Sequence, residues 1–110
     1  MIDETLVRIR AKIEKADSLK QENKKELIDL LSDLQNEIEQ LAATNPEHAE
    51  SIVGFAQTSA HEAMRSEKKD RLRNVSLDAL AESVIGFEDS YPRLVKIVNS
   101  ICTALSNLGI

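Results

Sequence analysis

The chain has 110 residues, 42% of them apolar but only 3% aromatic, with no Trp, three Gly and two Pro. That is one core's worth of aliphatic side chains, and so few turn formers exclude an all-β or α/β domain of this length. The net charge of −5 is uneven: up to residue 50 there are seven Lys or Arg against twelve Asp or Glu, and thereafter seven against seven, so the overall field opposes nucleic acid and anionic membrane.

The N-terminal MIDETLVRIRAKIEK carries a charge every few residues, unlike a secretory signal, and no stretch offers the ~18 apolar residues of a membrane span. Cys102 is the single cysteine, so no disulfide forms within the chain. A reducing compartment, with the cytoplasm as default, is the expected location.

The first predicted helix runs from about Asp3 to Ala16. Ile2, Leu6, Ile9, Ile13 and Ala16 repeat at steps of four and three, one stripe of a helix. A second follows from near Asn23, where Asn23 and Glu26 have capping-box spacing, to Ala43, with the stripe Leu27, Leu31, Leu34, Ile38 and Leu41. The short link between them predicts an antiparallel hairpin. Glu22, Glu26, Asp29, Asp33 and Glu37 line the opposite face. The plain reading is a solvated surface, and the functional one is an acidic docking face for a basic partner.

Asn45 as N-cap, Pro46 at the first helical position and Glu47 in the first turn predict a third helix. Its stripe is small, with Ala49, Ile52, Val53, Ala56, Ala60, Ala63 and Met64, beside Phe55, so it is expected to pack closely. Gly54 within it calls for close packing or a kink. The charged segment 65–75 then reads as a hinge or a helix extension. A fourth helix, capped by Asn74 or Ser76, carries Leu77, Leu80, Val84, Ile85 and Phe87.

The last helix opens with Tyr91 and Pro92 and has the widest apolar face. With Leu94, Val98, Ile101, Leu105 and Leu108 at the d and a positions of a heptad, Val95 and Cys102 fall at e and Ile97 and Ala104 at g. Such a face is too wide for one neighbour, which makes this helix central and gives Leu94, Val98, Ile101, Leu105 and Leu108 as oligomer interface or core. Gly109 is the expected left-handed residue after its end, with Ile110 folding back on the last turn.

Phe87, Glu88, Tyr91, Pro92, Leu94, Leu105, Gly109 and Ile110, in FEDSYP and the helix that follows, resemble the closing pattern of a small family of uncharacterised bacterial helical domains. Its motif is Phe-Glu-x-x-[His/Tyr]-Pro-x-Leu with a terminal Gly-Ile. ELIDLLSDLQNEIEQL is similar to a leucine- and acid-rich helix of that family. The resemblance implies a small helical domain of unknown function and carries no catalytic residues; Tyr91 stands where His is commoner, so no imidazole role transfers.

Candidate chemistry is sparse. His48 and His61 lie about 20 Å apart along one predicted helix, so they share no metal within a chain. His61-Glu62-Ala63-Met64-Arg65 lacks the second His of HExxH, and no Glu-x-x-His pair exists for a di-iron bundle. An intersubunit site using His48 with Glu47 or Glu50 is the metal alternative. Apolar neighbours are expected to raise the pKa of Cys102, making it a packing residue and not a nucleophile. Glu88, Asp89 and Tyr91 read as a clasp at a helix junction, with an acid/base pair as the alternative. Arg65, Lys68, Lys69, Arg71 and Arg73 form the one basic run suited to a polyanion, without aromatics for stacking. Meeting the acidic face of the second helix, within or between chains, is its other use.

These readings predict one all-α domain over residues 1–110, of four to five helices, with an N-terminal helical hairpin packed around a central C-terminal helix. The expected function is a non-catalytic homo-oligomeric helical interaction module, most simply a homodimer, with a further protein partner allowed and no cofactor, metal or membrane. The alternatives are a nucleic-acid accessory protein using Arg65 to Arg73, and then an enzyme or metal protein with an intersubunit site.

Overall fold

A computed structural model of the chain describes residues 2–108. It is all-α: α1 (Ile2–Lys15), α2 (Gln21–Ala42), α3 (Pro46–Met64), α4 (Asp70–Glu82) and α5 (Pro92–Asn107). The two proline-led helices start where predicted, with Asn45 and Tyr91 at the N-cap positions and Pro46 and Pro92 just inside. The other starts differ. α2 begins at Gln21, before Asn23, whose amide is already bonded to the Lys20 carbonyl, so Asn23 and Glu26 form no capping box.

α4 also begins earlier than its predicted caps. Residues 65–69 are a non-helical link, and residues 70–75 are the first turns of α4. Lys68 makes the reversal: its Nζ donates to the Ala63 carbonyl at the open C-terminal end of α3. At its far end α4 stops at Glu82 and not at Phe87, because Gly86 turns the chain with φ +98°. The expected turn at Gly109 and Ile110 lies outside the described residues.

The helices run alternately up and down. α2, α5, α4 and α3 form a ring of antiparallel neighbours, and α1 lies in the groove between α2 and α3. Side-chain contacts fix the directions. Glu37 of α2 meets Arg93 at the start of α5, Arg10 of α1 bonds Ser32 of α2, and Lys12 of α1 meets His61 late in parallel α3. α2, at about 33 Å long from its rise per residue, accounts for most of the 37 Å length of the molecule.

One hydrophobic cluster draws on all five helices, with Leu34, Ile38, Leu41, Ile52, Leu80, Leu94 and Val98 sealed from solvent. α5 belongs to this core as expected, but it does not hold the centre alone. α3 packs against all four other helices, whereas α5 lies against α2, α4 and more narrowly α3, and does not touch α1. The reason is size: Ala49, Ala56, Ser59, Ala60 and Ala63 give α3 a buried face with little side-chain depth, so several helices can crowd around it.

Candidate functional site

The C-terminal heptad residues resolve to core. Leu94, Val98, Ile101 and Leu105 are all at most 3% exposed and Leu108 is half-buried. Their wide face is covered within the chain by α2 and α4, leaving α5 a polar outer side of Lys96, Asn99, Ser100, Thr103 and Asn107. Those side chains, with Glu26, Leu30 and Val95, line an open groove of 740 Å³ over α2 and α5.

The basic run is largely neutralised where it lies. Arg65 bonds Glu62 at 2.9 Å, Lys69 pairs with Glu67 at 2.9 Å, and Arg73, whose side chain is 13% exposed, stands 3.6 Å from Asp70. Lys68 is turned onto the end of α3. Among the described residues only Arg71 of the five has no bonded partner. None of the five pairs with the acidic stripe of α2, whose cross-helix ion pair is instead Glu37 with Arg93 at 3.8 Å.

The histidines are occupied differently. His48 packs edge-on against Phe87 with ring centroids 4.8 Å apart, and Phe87 in turn meets Tyr91 at 5.9 Å. The hydroxyl of Tyr91 lies 3.3 Å from Thr44 Oγ1. Tyr91 is therefore a clasp, but its partner is the α2–α3 link and not Glu88, which accepts the Gly86 amide at 2.8 Å. His61 Nδ1 is 3.0 Å from Lys12 Nζ, in a 310 Å³ groove between α1 and α3. Among the described residues no three His, Cys, Asp or Glu side chains are grouped to hold a metal.

Cys102 is half-buried between α5 and α4, its Sγ 3.7 Å from the Leu77 carbonyl. Burial pushes its thiol above the ordinary range and the negative charge of Asp78 adds to this, against an opposing backbone hydrogen bond. Such a thiol is a weak nucleophile near neutral pH.

A surface that sequence reading missed lies on the outside of α3 and α4. Phe55, Leu72 and Val75 are 40%, 49% and 56% exposed. α3 turns Val53, Gly54, Gln57 and Ala60 toward α1, and α4 turns Asn74, Leu77, Asp78 and Ala81 toward α5. Thr58 also borders the groove toward α1, and the flanks left over carry Phe55 on α3 and Leu72, Val75 and Ala79 on α4, two helices packed against each other. Val7 on α1 and Ile85 after α4 are also exposed. The signal was present as Phe55 beside the small stripe and as Leu72 within the basic run. It could be read only once α4 was known to start at Asp70.

No protein-family model, curated protein or solved structure matches the chain. Among the described residues, no helix is long and apolar enough to cross a membrane.

Proposed function

We propose that the protein is a non-catalytic helical interaction module that associates with itself, most simply as a homodimer, and works in the cytoplasm. The observation that carries this reading is the outer α3–α4 face. Phe55, Leu72 and Val75 each leave about half of a large apolar side chain in water on adjoining flanks of two packed helices, and grouped apolar exposure of this kind favours a protein surface over water. The polar groups nearest to chemistry are engaged elsewhere: Tyr91 with Thr44, His48 with Phe87, and Cys102 as a thiol of raised pKa. The local pairing of Arg65, Lys69 and Arg73 leaves little free charge for a polyanion, and the lone cysteine suits a reducing compartment.

The test is molar mass by light scattering over a dilution series. A mass of twice the chain that falls toward one chain on dilution, or holds throughout, is expected. A single-chain mass at every concentration overturns the proposal.

A further inference from the structure

We propose that two copies pair through their outer α3–α4 faces, antiparallel, about a twofold axis that lies in the interface and crosses the helices at right angles. This rests on the self-association proposed above and names its surface. The face has an apolar middle, Phe55, Leu72 and Val75, and two ends of opposite charge. At one end, in the first turn of α4, stands Arg71, with Lys69 before it paired to Glu67; at the other stand Glu82, at the end of α4, and Glu47, at the start of α3. Glu47, Glu82 and Arg71 are exposed, and among the described residues none has a bonded partner within the chain.

A twofold axis along the seam would lay the helices parallel and set basic end on basic end. An axis across the seam instead sets α4 on α4 and α3 on α3, each antiparallel, so that the two opposite ends meet twice in one dimer. From Arg71 to Glu82 is about 16 Å along α4, and the midpoint falls between Ser76 and Leu77, so matching Arg71 to the partner's Glu82 leaves the two Val75 side chains within one turn of each other along the axis, with each Leu72 nearer the charged end. The same rotation carries Glu47 of one copy toward the α3–α4 link of the other, and Arg71 with Glu82 is the pair that sets the register. An isologous arrangement of this kind repeats every contact, so a modest charge preference counts twice.

The experiment uses Arg71→Glu and Glu82→Arg, both at exposed positions. At low salt each variant alone is expected to raise the dimer dissociation constant at least tenfold, measured by sedimentation or light scattering. Mixing the two is expected to restore a heterodimer, because every contact then again joins opposite charges. The chain carrying both changes is expected to dimerise like the unaltered one. Unchanged dimerisation of either single variant, or failure of the mixture to recover, overturns this surface while the protein still self-associates. An unaltered chain that is monomeric at every concentration overturns the self-association reading itself.

Discussion

The Tyr91 hydroxyl and Thr44 Oγ1, 3.3 Å apart, join the residue before α5 to the link between α2 and α3. Thr44 donates its own proton to the Leu41 carbonyl at 3.4 Å and accepts from Asn45 Nδ2 at 3.1 Å, which leaves Tyr91 as the donor. Tyr91→Phe removes that donor and keeps the ring against Phe87. The expected loss is about 0.5–1 kcal/mol, seen as a lower urea midpoint at unchanged slope. Thr44→Val should cost no less, since it also strands the Asn45 contact, and the double variant should show that the two losses are not additive.

The two described glycines should respond in opposite directions. Gly54 lies exposed inside an unbroken α3, and a Cβ built there meets nothing within 4 Å. Neither close packing nor a kink explains it, so Gly54→Ala should stabilise by about 1 kcal/mol through helix propensity alone. Gly86 has equal room, but its φ of +98° suits an L side chain poorly. Gly86→Ala should destabilise by about 1–2 kcal/mol. Thermal unfolding of the pair separates conformational cost from packing cost.

What the sequence made legible follows the reach of each signal. Helical stripes of Leu and Ile identified the core of α1, α2 and α5 nearly residue by residue, because burial selects for period. Proline fixed the starts of α3 and α5 because its missing amide is a local property. The start of α4 was misplaced because no side chain caps it: Lys69 occupies the cap position without a side-chain bond, and what organises the turn is Lys68 reaching back to α3. That contact joins two helices and has no local signature. The breadth of the α5 face was read as surplus apolar surface for the same reason, since its covering depends on α4 lying against it.

Ile101→Asp should therefore unfold the chain and not merely separate copies of it. Ile101 is 3% exposed in the shared core, and a carboxylate there would be ionised only at a cost of several kcal/mol. Lys96, on the polar outer side of α5, should tolerate alanine within about 0.5 kcal/mol. Circular dichroism of the two variants distinguishes a core residue from an interface residue, because an interface substitution leaves helicity intact.

The thiol of Cys102 gives a pH-dependent readout of the α4–α5 contact. Its pKa is raised in the folded chain by burial first and by Asp78 second. The sign follows: the contribution to stability is fully present below the unfolded thiol's pKa and is lost as pH rises through the higher folded value. Alkylation by iodoacetamide at pH 8 should be slower than in denaturant, with its rate profile displaced to higher pH. Asp78→Asn should bring the profile part of the way back, while Cys102→Ala should remove the alkaline loss of stability. A profile unmoved by Asp78→Asn would mean that burial acts alone.

Ser59 is the one polar side chain among the buried residues described, at 0% exposure on the narrow face of α3, and its Oγ has no hydrogen-bond partner among the described groups. Other helical hydroxyls here turn back on their own helix, as Thr58 does to the Gly54 carbonyl at 3.1 Å and Ser76 to the Leu72 carbonyl at 2.7 Å. An enclosed hydroxyl without a partner keeps its desolvation cost, and alanine fills almost the same space with a higher helix propensity. Ser59→Ala should thus stabilise by about 0.5–1.5 kcal/mol. Ser59→Val, which adds volume at a fully enclosed position, should destabilise by about 1–3 kcal/mol. Urea unfolding of both tests the argument: a loss of stability on Ser59→Ala would show that the hydroxyl is bonded in solution, and a neutral Ser59→Val would show that the core around α3 has slack.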